Sequence, residues 1–348
     1  MIREKSLESN VRTTAEETSK ADRPAGAERR APRSMWQRAG SLDRYVIVLV
    51  WVAIVIYFGI ERPHVFLTEL TFKTTLADNA ATCALAVGVT IALAAGVIDL
   101  SFAAMAGLSM VIVTKLSATS HLNIALIALI AVAACAALGA VTSLLVTWLK
   151  VNSLVATLGM MSVAIGLTEK ITAGMTLTGR FSGSFTDFGQ AYWGPFPRPF
   201  VYAMALAVLG YLVLEHTPFG RRLLAVGDNV QAARLIGIRV GAHQTAAILT
   251  VAAIAGLVGV TLASTVGQAT DTSGTGYLLP VVAGVFLGST QFKNRVNVVG
   301  SVVAVLTIGT GIKGLQLMGA TPWVSDFFDG AVLLAAVAFG AIRTRSAR

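Results

Sequence analysis

Beyond residue 41 the chain alternates long apolar runs with short polar interruptions, and the runs outlast the core-facing stripe of an ordinary soluble helix. They are Leu42 to Ile60, Thr74 to Val97, Phe102 to Leu116, Leu122 to Leu149, Ser153 to Ala173, Val201 to Leu214, Thr245 to Ala263, Tyr277 to Leu287, Val296 to Leu317 and Phe327 to Ile342. A helix crosses a bilayer with ~20 consecutive apolar residues, so the pattern predicts about ten spans in one membrane body over residues 42–342. The Phe102 and Tyr277 runs are short for a straight crossing, which marks them as candidates for broken or re-entrant helices. The expected fold is all-α and polytopic.

One polar and basic island stands out inside this oily sequence, Thr217 to His243, within a loop bounded by residues 215–244. Asp228 is placed to cap a short helix with Gln231 in its first turn, and Gly237 stands where a left-handed residue would end it. The expected helix is Asn229 to Ile236. Val230, Ala233 and Ile236 then share one side at three-residue spacing, while Gln231 and Arg234 face away. Such a helix is too short to cross a bilayer and suits docking against another surface.

Composition agrees with the membrane reading. Hydrophobic residues make up 55% and charged residues 13% of the chain, and the mean hydropathy is +0.72, whereas soluble domains carry about 25% charged residues. The net charge of +9 does not form an aromatic-interleaved basic patch, so nucleic acid is not an expected partner. Residues 1–41, rich in charge and poor in aliphatic runs, read as a disordered cytosolic tail. No short apolar signal core with a cleavage site follows it. Cys83 and Cys135 fall inside apolar runs and read as packing residues. The four histidines make no metal-ligand spacing, and no Walker A sequence is present, so neither a metal nor a cofactor is expected, and any ATP must be hydrolysed by another polypeptide.

Charge placement predicts topology, because loops on the cytosolic side carry the Lys and Arg excess. With the tail inside, the inner set is Lys150, Arg221, Arg222, Arg234, Arg239, Lys293, Arg295, Arg343, Arg345 and Arg348, and the outer set is Arg62, Lys73, Lys115, Arg180 and Arg198. That asymmetry, about two to one without the tail, puts the 215–244 loop and the C-terminal residues 343–348 in the cytosol. The Gly-, Ser- and aromatic-rich stretch from Thr178 to Pro199 then faces outward.

Four pieces, in this order, resemble the permease subunits of ribose-type sugar ABC importers. They are Gly96-Val97-Ile98-Asp99-Leu100-Ser101, Val155-Ala156-Thr157-Leu158-Gly159-Met160, Phe219-Gly220-Arg221 with Ala225-Val226-Gly227-Asp228-Asn229, and Ala232-Ala233-Arg234-Leu235-Ile236-Gly237-Ile238. The resemblance covers roughly residues 42–342. It implies a multi-pass protein of the bacterial inner membrane, a second permease copy, a cytosolic ATPase and an extracytoplasmic binding protein that delivers a sugar. It further implies that the Ala-Ala-Arg segment is the coupling helix seated on the ATPase, and that spans two to five and seven to ten are inverted repeats, for which a five-span offset has the right parity.

Asp228, Asn229, Gln231, Ala232, Ala233, Arg234, Gly237 and Arg221 are therefore the expected coupling residues, with anionic lipid as an alternative partner of the arginines. Candidate path residues are Asp78 and Asn79 at the outer end of the second span, Asp99 and Ser101 before the third, and Asn152 and Thr157 at the fifth. Each has a plainer reading beside it. Asp99 or Ser101 would cap the third span, and the Asn and Thr side chains would make bonds between helices or cap them. Glu169, Lys170 and Lys313 are expected to snorkel toward an interface. Two rival functions would require other residues. An ion-coupled secondary transporter would carry acidic or histidine relays inside its spans, and an intramembrane enzyme would carry paired catalytic groups; neither explains the ordered motifs.

Overall fold

Caps and left-handed glycines set the helix limits more than hydropathy does. The computed structural model describes residues 46–291 and 295–346; the expected tail, residues 42–45 of the first run, Lys293 and Arg348 lie outside them. Helix α1 spans Val46–Glu61 and α2 spans Pro63–Phe66. Thr68 then accepts a bond from the Thr71 amide at 3.2 Å and starts α3, Glu69–Ala94, ahead of the hydropathy edge expected at Thr74. Glu69 and Lys73 pair across that first turn, so polar residues are taken into the helix without breaking it.

The chain continues through α4 (Phe102–Thr119), α5 (Ile124–Thr147) and α6 (Ser153–Thr172). The expected outward stretch folds as β1 (Leu177–Thr178), α7 (Gly183–Gln190), β2 (Tyr192–Trp193) and β3 (Phe196–Pro197). Helix α8, Arg198–Tyr211, runs into a π-helical turn at Leu212–His216. Two short helices, α9 (Pro218–Asp228) and α10 (Val230–Leu235), make the polar island. After them come α11 (Val240–Val266), β4 (Gln268–Ala269), α12 (Leu278–Gln291), α13 (Val298–Leu317) and α14 (Trp323–Ser346).

Seven of these helices, α3 to α6, α8 with its π turn, α11 and α13, are long and apolar enough to cross a membrane, while α1 and the α12 segment are shorter apolar helices. The expectation of about ten full spans is corrected to that extent. The tenth run lies in α14, which is 24 residues long and carries Asp326 and Asp329, acids that lower its apolarity.

Packing places α3 and α11 at the centre. The two touch each other; α4 and α5 pack on α11 just as α12 and α13 pack on α3. Helix α4 also lies against α5 and α6, as α12 lies against α13 and α14. Exchanging α3–α6 with α11–α14 maps this contact pattern onto itself, the relation an inverted repeat requires. Both central helices stop at a left-handed glycine nearby, Gly96 at φ 71° and Gly267 at φ 76°.

Small residues let these helices meet closely. Ser109 donates to the Gly256 carbonyl at 2.6 Å, and Gly259 lies so close to α4 that any Cβ there would strike Ala106 and Ser109. Thr90 donates to Ser301 at 2.8 Å, tying α3 to α13 inside the core. Cys83 and Cys135 are buried free thiols within it.

At one end of the bundle β1 pairs antiparallel with β4, bringing residues 177–178 against 268–269. We call this the ribbon end. The opposite end carries the 95–101 turn, the 148–152 turn and the 217–239 connector, which meet one another there.

Candidate functional site

The 217–239 connector is clamped onto the bundle through backbone. Thr217 accepts from the Gly220 amide at 3.1 Å and starts α9, with Pro218 at the first helical position where its missing N–H costs nothing. On its inner side α9 buries Leu223 and Val226. Near its end Gly227 lies directly on the 95–101 turn. A Cβ at Gly227 would come within 2.5 Å of the Ala94 carbonyl oxygen and 3.2 Å of the Gly96 nitrogen.

The expected docking helix is present with shifted limits. Asp228 belongs to α9, and the cap is Asn229, whose Oδ1 accepts from the Gln231 and Ala232 amides at 3.0 Å each. The expected span of Asn229 to Ile236 contracts to Val230–Leu235, and Gly237 ends it at φ 80° as its position suggested. Ala233 is the buried anchor, packed with Val226 and Val240, and Val230 sits half-buried beside them. Helical spacing predicts Ile236 on that packed side. It lies past the last helical residue instead, so the helical spacing no longer applies to it, and it is 73% exposed beside Leu235 at 89%. Arg221, Asp228, Gln231, Ala232 and Arg234 are exposed. The tip is thus two adjacent bare aliphatic side chains ringed by polar ones, an arrangement that suits contact with a partner surface.

Behind the tip lies a polar recess of about 260 Å³ lined by Lys150, Arg234, Gly96, Ser153 and Gln244 among others. Gly96 and Val97 of the 95–101 turn line it, and four of the expected path residues, Asp99, Ser101, Asn152 and Thr157, lie in that turn or at the start of α6 beside it. The Asp99 Oδ1 accepts from the Ser101 amide at 2.8 Å and the Ser101 hydroxyl at 2.6 Å. Ser101 makes no side-chain cap on α4; of the two expected caps it is Asp99 that accepts an amide at the start of that helix, the one of Ser101. Asp99 is 1% exposed; burial pushes its carboxyl above the usual range, and the Ser101 bonds pull the other way. Thr157 donates to the Ile98 carbonyl at 3.3 Å, the Ile98 amide reaches Ser153, and Asn152 caps α6 through the Leu154 amide at 2.9 Å. These contacts lock the turn between α6 and the connector.

Asp78 and Asn79 are not part of that cluster. They lie toward the ribbon end, well inside α3 rather than at its tip, in a separate cavity of about 220 Å³. Lys313, expected to snorkel, reaches across from α13 to the Asp78 carboxylate at 2.9 Å. Nothing in the sequence pairs residues so far apart, and the only local signal was a lysine inside an apolar run. Glu169 and Lys170 are exposed near the end of α6, as their position predicts.

The family model described as branched-chain amino acid transport system / permease component matches residues 73–337. The chain is 30% identical over 322 residues to the L-arabinose transport system permease protein of Escherichia coli (strain K12), covering 91% of this chain and 96% of that one. It is 34% identical over 286 residues to the ribose import permease protein of Bacillus subtilis (strain 168), covering 82% and 88%. It is 29% identical over 299 residues to the D-allose transport system permease protein of Escherichia coli (strain K12), covering 85% and 91%. No solved structure matches the chain.

Proposed function

The chain belongs to the branched-chain amino acid transport system / permease component family, and we propose that it carries a sugar or polyol across a membrane as the permease of an ABC importer. A separate ATPase subunit powers the transport and an extracytoplasmic binding protein delivers the solute. The named relatives handle arabinose, ribose and allose, which favours a monosaccharide.

In this reading the protein spans a bacterial inner membrane with its N- and C-termini in the cytosol. The Lys and Arg excess at the connector end supports that orientation. A second copy of the chain completes the pathway, and anionic lipid headgroups meet the arginines left free by the ATPase.

The observation that carries the reading is the connector tip. Leu235 and Ile236 stand bare on a helix anchored by Ala233, and seating both in a groove of the ATPase would contribute about 3–6 kcal/mol. Closure of the ATPase then pushes α10, and the push passes through Gly227 to the 95–101 turn and the core. Leu235→Glu tests this, since an exposed side chain can be changed without disturbing the fold. In vesicles holding the permease, its ATPase and its binding protein, uptake is expected to fall at least tenfold while the permease remains folded. Uptake at the unchanged rate would contradict the proposal.

A further inference from the structure

A carboxylate on a membrane helix that stays largely exposed beside its in-chain partner must also face water or another protein, because hydrocarbon does not accept it. Asp78 is such a group, with its side chain 61% exposed, while its partner Lys313 is 18% exposed. The pair is not an isolated surface contact. Asn79 lies beside it, its amide packed against Gly309 and its Nδ2 donating to the Thr75 carbonyl at 2.8 Å. Thr82 closes the cavity one turn deeper and Gln316 borders it one turn nearer the ribbon end, its amide 3.4 Å from the Ser325 hydroxyl.

We propose that Asp78, Asn79, Thr82, Lys313 and Gln316 form a subsite for a polyhydroxylated solute on the ribbon-end half of the transport path. The chemistry fits that class of ligand. A carboxylate accepts from one hydroxyl, an ammonium donates to its neighbour, and two amides and a threonine hydroxyl serve as both donors and acceptors. Asp78 and Lys313 are paired, so the cluster has no net charge to favour an ion over a neutral solute, and charge-assisted bonds hold hydroxyls better than bonds between neutral partners do. About 220 Å³ lies below the ~300–1,000 Å³ of drug-sized sites, the scale of a small solute. The asymmetry agrees, since the pair joins α3 to α13 and the corresponding α11–α5 contact closes on Gly139 and Ala252 instead.

The inference rests on the sugar reading above, and the experiment separates the two. Vesicles carrying the full transporter are given radiolabelled D-ribose, L-arabinose or D-allose. Lys313→Gln and Asn79→Ala are each expected to change the ratio of the three uptake rates at least fivefold, with Lys313→Arg restoring the wild-type ratio. A purely structural role would scale all three rates alike, and that result, or unchanged ratios, overturns the subsite. Gln316→Cys is expected to react with a membrane-impermeant maleimide in right-side-out or inside-out vesicles, above the background of buried Cys83 and Cys135; failure to react from either side also overturns it. A wild-type transporter that moves none of the three sugars counts against the sugar reading itself, and the labelling then decides whether the cluster lines an aqueous path.

Discussion

Gly227→Val tests whether the connector is clamped to the bundle. At this position a Cβ meets the Ala94 carbonyl oxygen at 2.5 Å, its carbon at 3.0 Å and the Gly96 nitrogen at 3.2 Å. All three are backbone atoms, so no side chain can rotate away. Overpacking of this kind costs about 1–3 kcal/mol, while the helix-propensity gain of replacing a glycine near a helix end returns only a few tenths. A net loss of about 2 kcal/mol shifts the docked connector toward its released form by a factor of about 30. Unfolding in detergent is expected to move down by about 2–4 °C, and transport by the complete complex to fall more than hydrolysis does. Gly166→Ala, inside α6 with nothing near its Cβ position, is the control and should lower neither quantity, its helix-propensity gain raising melting slightly if at all. Wild-type melting and wild-type uptake in Gly227→Val would refute the claim that force passes through this contact.

Three further outcomes follow from the same geometry. Asn229→Ala removes both cap bonds of α10 and is expected to cost about 1 kcal/mol, read as faster amide hydrogen exchange at Gln231 and Ala232 with the exchange of α11 unchanged. Ala233→Glu puts a charge where Val226 and Val240 pack, so it is expected to release the connector and lower the melting temperature, unlike Leu235→Glu, which leaves melting unchanged. Ser301→Ala leaves the Thr90 hydroxyl bonded to the Ala86 carbonyl, so less than about 1 kcal/mol is lost, measured by thermal unfolding in detergent.

What the sequence made legible follows from the range of the physics involved. Apolar runs and single-residue conformational preferences are local, so the spans, the Gly237 stop and the Asn152 cap could be read along the chain. Limits set by polar residues were harder. Thr68 begins α3 because its side chain captures an amide, which hydropathy does not register, and α9 absorbs Asp228 so that the cap passes to Asn229. The exposure of Ile236 depends on the helix stopping one residue sooner. Lys313 finds Asp78 only once α3 and α13 pack together, and that pairing is a property of the tertiary arrangement rather than of either segment. The same holds for the 95–101 turn, where Asp99 is buried against Ser101 while Ile98 reaches α6 and Gly96 meets the connector.

The central claim is that this chain moves solute only when a separate ATPase works on its connector. The direct measurement is uptake of labelled monosaccharide into sealed vesicles containing the purified chain with its binding protein, with and without the ATPase subunit and ATP. Accumulation is expected only with the ATPase and ATP present, and it should survive collapse of the ion gradients. Accumulation by the chain alone, driven by an ion gradient, would contradict the account.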